Sequence, residues 1–151
     1  MADSKMVYKG DKGFWIHESF MQLAFHYIYD ELIKTPYDLA LKNDLLYSMK
    51  FHIDGYSSGS MSLGWSKMEH SDEQIMLQAL SNVIVNLRSK GAYISVSELR
   101  QISSDDDDFK ILYSRKSFPT AELVKIIDAL IEMLQGTWNS NNYSMDIDYA
   151  Y

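Results

Sequence analysis

Between His17 and Lys34 the chain places Phe20, Met21, Leu23, Ala24, Phe25, Tyr27, Ile28, Leu32 and Ile33 around one narrow polar stripe. That stripe is Glu18, Gln22, His26, Asp30 and Lys34, every fourth residue. A helix apolar on most of its circumference has to be covered by neighbours on nearly every side, so this segment predicts the centre of a fold. The rest of the chain must supply the cover. With 151 residues there is material for one domain, which buries roughly 68–70% of its unfolded surface. Hydrophobic residues at 46%, charged residues at 23% and only two prolines mark it as globular rather than disordered.

The covering elements are themselves mostly helical. Thr35-Pro36 ends the first helix and reads as the start of a second, with Thr35 as N-cap and Asp38 on the positive end of the dipole; this helix carries Leu39, Leu41, Leu45 and Leu46. A third opens at a capping box of Ser71 and Gln74, buries Ile75, Met76, Ala79, Leu80, Val83, Ile84 and Leu87, and stops at Lys90-Gly91. Ser95 with Glu98 is another capping box, for a short helix through Leu99 and Ile102. The last long helix starts near Thr120, buries Leu123, Ile126, Ile127, Leu130, Ile131 and Leu134, and ends at Gly136.

Two segments are exceptions. Tyr47, Met49, Phe51 and Ile53 alternate with polar residues, as do Met61, Leu63 and Trp65. Alternation is strand periodicity, so residues 47–67 read as a small hairpin, with a helix followed by a loop as the alternative. The expected fold is a mainly α single domain over residues 1–151, a helical bundle of about four to five helices with at most that one hairpin. Residues 1–13 read as a flexible polar arm and residues 138–151 as a polar aromatic tail without helical period.

Composition removes several functions. Without cysteine there is no disulfide framework, thiolate metal site or cysteine nucleophile. No apolar run approaches the roughly 18 residues of a membrane span, and the N-terminal residues lack the apolar core of a secretion signal. The expected location is therefore cytoplasmic. A net charge of −7 repels phosphate backbones and anionic membranes and attracts a basic protein. It also simply keeps a small protein soluble.

The motifs dissolve on inspection. Gly55-Tyr56-Ser57-Ser58-Gly59 fits the G-x-S-x-G pattern of serine hydrolases, but no apolar strand precedes it. Its sole downstream histidine, His70, is adjacent to the sole intervening acid, Glu69, which cannot orient it. Gly59 to Ser66 fits a phosphate-binding loop except that Trp65 stands in place of the lysine that reaches the phosphates. An EF-hand loop starting at Asp105 would need glycine and glutamate where Lys110 and Lys116 stand. The four histidines have no metal spacing. No cofactor, metal or catalytic residue is assigned.

The eleven tyrosines remain. Tyr56, Tyr143, Tyr149 and Tyr151 lie outside the core helices, and Trp65 and Trp138 are near them in sequence; interfaces favour such rings because each joins a large contact area to a polar edge. With the acidic run they give candidate partner-binding residues: Asp105, Asp106, Asp107, Asp108, Tyr56, Trp65, Tyr143, Asp146 and Asp148. The structural alternatives are a solvated turn for the aspartates and a tail that tucks its rings over the domain.

In whole-chain character, through GFWIHESFMQLAFHYIYDEL, the G-x-M-x-L segment Gly59 to Leu63 and TAELVKIIDALIEMLQGTW, the sequence resembles the small acidic immunity proteins that bacteria pair with secreted or contact-delivered toxins. The resemblance implies a non-catalytic inhibitor, held in the cytoplasm, that binds a cognate and often basic, nuclease-type toxin. It transfers no functional residue, because that group mixes unrelated folds. Two other readings stand beside it: an enzyme with a site assembled from scattered residues such as His26, Asp30 and His52, and an oligomerising structural subunit, with the oligomeric state left open.

Overall fold

The computed structural model describes residues 3–8, 11–34, 37–56, 61 and 68–150. The fold is mainly α, with small β segments. In chain order the elements are β1 (Asp3–Val7), β2 (Gly13–His17), α1 (Glu18–Lys34), α2 (Lys42–Ile53), α3 (His70–Ser89), β3 (Tyr93–Ile94), α4 (Val96–Arg100), α5 (Asp107–Leu112), β4 (Phe118–Pro119), α6 (Thr120–Gln135) and β5 (Tyr143–Ser144).

α1 occupies the centre, as its all-round apolar surface requires. α2, α3 and α6 pack against it, α3 also packs on α6, and β2 runs into it without a loop. Phe25, Ile28 and Leu32 are fully enclosed. α3 and α6 bury the stripes their spacing predicts, Met76 to Leu87 and Leu123 to Leu134, although Ile75 and Ile131 are only half-buried. α6 stops at Gly136, which takes a left-handed φ of +77°.

Several boundaries differ from the sequence expectation. Residues 47–53 are helical, not a strand: Leu45, Met49 and Ile53 form a buried i, i+4, i+8 stripe while Tyr47 and Phe51 face out. The apparent alternation arose because α2 is short and carries aromatics on its solvent side. α2 also starts later than expected, at Lys42, so Leu39 and Leu41 precede it; the expected cap at Thr35-Pro36 lies outside the described residues. α3 begins at His70 with Glu69 in the N-cap position and no side-chain cap, so the Ser71–Gln74 capping box does not form. At α4 the expected cap is present, with Ser95 Oγ accepting from the Glu98 backbone N–H at 3.1 Å.

Residues 3–8 are not a loose arm. β1 pairs antiparallel with β2, Asp3 opposite His17 through Val7 opposite Gly13, and Ser4, Met6 and Tyr8 alternate inward. Gly13 permits this close pairing, since a Cβ there would meet the Met6 carbonyl oxygen at 1.9 Å. β5 adds to the far edge of β2 in parallel, and Met61 bridges to Met6 on the edge of β1. The tail is likewise docked: Met145, Ile147 and Tyr149 are buried and alternate with exposed Ser144, Asp146 and Asp148. Tyr149 closes an aromatic cluster with Phe20, Tyr113 and Phe118 and donates to the Lys116 carbonyl at 2.8 Å. No helix among the described residues is long and apolar enough to cross a membrane.

Candidate functional site

At its C-terminal end α2 turns so that the N–H groups of Asp54, Gly55 and Tyr56 meet the carbonyls of Lys50, His52 and Phe51, and other parts of the chain satisfy the Ile53 carbonyl and share that of His52. Gln22, buried on the polar stripe of α1, donates Nε2 to the carbonyls of His52 at 3.0 Å and Ile53 at 3.3 Å, and to Asp106 Oδ2 at 2.9 Å. Ser104 Oγ donates to the Ile53 carbonyl at 2.7 Å, and the Asp105 N–H donates to Asp54 Oδ1 at 3.0 Å. The chain then turns away at Gly55 with φ +79°, where an added Cβ would lie 2.5 Å from Asp106 Oδ2. The acidic run is thus tied to the end of α2 through Asp105, through Asp106 and through the buried bond of the preceding Ser104, rather than hanging in solvent.

Its four aspartates have different roles. Asp106 is the N-cap of α5: its Oδ1 accepts from the N–H groups of Asp108 at 3.0 Å and Phe109 at 3.4 Å. It is therefore spent on the fold. Asp107 forms an exposed ion pair with Lys110 at 3.5 Å, and Asp54 pairs with Lys50 at 3.1 Å. Asp105 accepts from the Tyr56 hydroxyl at 2.9 Å, and that hydrogen bond pushes the phenol above its ordinary pKa. Asp105 and Asp108 meet no cation among the described residues.

Beside these carboxylates stands a short ladder of rings. Tyr47 is 74% exposed, Phe51 42% and Tyr56 60%. Tyr47 and Phe51, one helical turn apart, stack with centroids 6.2 Å apart and planes 18° from parallel; Phe51 meets Tyr56 at 5.6 Å. Aromatic surface normally lies inside a fold, and a stacked exposed run beside fixed negative charge has the make-up of an interface centre. Sequence reasoning found Tyr56 and the aspartates but missed Tyr47 and Phe51. Reading residues 47–53 as a strand put their rings on the buried side; a helical reading at Leu45, Met49 and Ile53 would have exposed them.

The remaining predicted residues lie elsewhere. Tyr143 is exposed on β5, edge-on to Trp138 at 5.7 Å. Asp146 offers its backbone carbonyl to Lys125 Nζ at 2.6 Å, and the Asp148 N–H donates to Glu122 Oε1 at 2.7 Å, so both sit over α6. Trp65 lies outside the described residues, as do most positions of the two rejected glycine-rich motifs.

A third feature is a polar cleft of about 390 Å³ between α1, α3 and α4, lined among others by His26, Asp30, Glu31, Lys90 and Glu98. Glu98 accepts from Tyr27 Oη at 2.5 Å and pairs with Lys90 at 2.9 Å; these contacts hold its carboxyl below the ordinary range against the upward push of burial. Glu31 accepts from Tyr37 Oη at 2.7 Å and from Asn86 Nδ2 at 2.9 Å. Burial lowers the His26 pKa, with Asp30 and Glu98 opposing. His52 is not on this cleft; it packs on the Phe25 ring at 5.1 Å. Among the described residues no group of three or more His, Asp or Glu is placed to hold a metal.

No family model matches this chain, and neither a curated protein nor a solved structure matches it.

Proposed function

We propose that this chain is a non-catalytic protein-binding module whose docking surface is the face formed by the solvent side of α2 and the start of α5. Tyr47, Phe51 and Tyr56 supply the contact area, and Asp105, Asp107 and Asp108 supply the charge. One observation carries the reading. Three exposed rings meet in succession, Tyr47 stacked on Phe51 and Phe51 tilted against Tyr56, beside carboxylates whose segment is tied to α1 and the end of α2 through Asp105 and Asp106, so the surface is organised before any partner arrives. The partner that fits is a basic protein, because complementary charge speeds encounter and rejects acidic competitors. Together with the resemblance of the whole chain to small acidic immunity proteins, this supports neutralisation of a cognate basic toxin in the cytoplasm.

The test is co-purification of the chain with the product of the adjacent gene at micromolar concentration. A stoichiometric complex is expected, and absence of one contradicts the toxin-inhibitor reading. The cleft between α1, α3 and α4 favours a second reading, an enzyme with His26 and Asp30 in its site. The fit is poorer, because the neighbouring carboxylates of Glu31 and Glu98 are occupied by tyrosine, asparagine and lysine donors.

A further inference from the structure

The outward side of α6 runs against the usual energetics of a helix. Asp128 and Glu132 are exposed, one turn apart, which puts like charges about 5–6 Å from each other at their Cβ atoms. Glu132 also lies in the last turn, where the macrodipole is negative and favours a cation, and that turn carries no basic residue. Among the described residues neither carboxylate receives a hydrogen bond or ion pair. The neighbouring Lys125 is engaged by Glu122 at 3.1 Å and by the Asp146 carbonyl. Two unfavourable placements on one stripe, uncompensated among the described residues, are the kind of local inconsistency that binding sites retain.

These carboxylates do not stand alone. They line a groove of about 470 Å³ whose other walls include Trp138, Tyr143, Met145 and Val124, together with Lys125, whose ammonium is taken up by Glu122 and the Asp146 carbonyl. The Trp138 ring is fixed from behind: its Nε1–H donates to the Gly13 carbonyl at 2.8 Å, and it meets Phe14 at 5.7 Å. Tyr143 stands at 73° to it. A fixed indole, an adjoining phenol ring, a thioether and an aliphatic side chain with two carboxylates at the rim that meet no cation among the described residues suit a flat cation that can be partly dehydrated. A guanidinium has that character; it stacks on rings, forks onto carboxylates and is more weakly hydrated than an ammonium.

We infer that the groove between α6 and the tail seats the guanidinium of an arginine side chain presented by a partner protein. The chain's charge of −7 favours such a partner. The inference does not depend on the docking face at α2 and α5: the residues are different, and either site stands if the other fails.

The experiment is a ¹H–¹⁵N NMR titration of the full chain with Nα-acetyl-arginine amide, read at the Trp138 indole N–H and the Tyr143 amide. Nα-acetyl-lysine amide and Nα-acetyl-glutamine amide serve as comparison ligands. Saturable shifts at both positions are expected for the arginine compound, in the millimolar range proper to one side chain, with a weaker response to lysine and none to glutamine. Asp128→Asn with Glu132→Gln is expected to weaken the arginine response at least tenfold and to raise Tm by about 1–3 °C through relief of the like-charge pair. Tyr143→Ala is expected to weaken it while leaving Tm nearly unchanged. The inference is overturned by linear, non-saturating shifts, by equal responses to the three amides, by perturbation confined to Asp105–Asp108, or by a full response in the double variant.

Discussion

Asp106 accepts from the N–H groups of Asp108 and Phe109 through Oδ1 and from Gln22 through Oδ2, joining the start of α5 to the central helix and the end of α2. Loss of a cap alone costs about 0.5–2 kcal/mol, and here the buried Gln22 amide also loses one of its three acceptors, keeping the His52 and Ile53 carbonyls. Asp106→Ala is therefore expected to lower unfolding free energy in urea by about 2 kcal/mol, and Asp106→Asn, which keeps an oxygen for the cap, by less. A small change for both would mean that the acidic run is only a solvated turn. The histidines make a second prediction. Burial lowers the pKa of His17, His26 and His52 from the ordinary 6.5. The unfolded chain then takes up protons first as pH falls. Stability is complete above 6.5, declines as pH drops through that value, and levels off below the folded pKa values. Urea midpoints measured from about pH 7.5 to 5.5 should fall, and His52→Gln should flatten the decline. A midpoint that is flat or rises on acidification contradicts the burial of these rings.

At the scale of elements, α2 separates the helical arrangement from the strand its sequence imitates. In a strand, positions 47 and 49 would share a face, whereas in α2 Met49 is fully buried and Tyr47 points to solvent. Met49→Ala should cost about 2–5 kcal/mol, and Tyr47→Ala should stay within about 0.5 kcal/mol of wild type in the same denaturation assay. Comparable losses at both positions would restore the strand. Long helices were legible in the sequence because their apolar stripes repeat over many turns, as Leu123 to Leu134 do on α6. The β segments were not. Ser4, Met6 and Tyr8 offer three inward positions too polar to stand out, and β5 pairs over only two residues across a long sequence separation. The buried tail residues Met145, Ile147 and Tyr149 do alternate, but Asp146 and Asp148 between them left a partner-facing surface and a tail tucked over the domain equally open. The site was half legible for the same reason: charge shows in composition, while the exposure of Tyr47 and Phe51 depends on the phase of a short helix.

For the whole molecule, the fold spends its central helix on holding surface elements in place. α1 carries Gln22 to the end of α2 and offers the Ser19 carbonyl to Tyr113 at 2.8 Å, so the exposed rings and carboxylates of α2 and α5 sit on elements tied to the central helix. A partner attracted by net charge −7 should associate more slowly as salt rises, since exposed charges are screened beyond about 8 Å at physiological ionic strength. Contact through a ring in the middle of the interface, by contrast, should show in dissociation. The most direct measurement is the affinity of the adjacent gene product for wild-type chain, Phe51→Ala and Val85→Ala, the last being an apolar residue on α3 that is 66% exposed. Phe51→Ala is expected to weaken binding by about thirtyfold, mainly through faster dissociation, with Val85→Ala unchanged. Equal affinities for all three, or a loss confined to Val85→Ala, would contradict docking through α2 and α5.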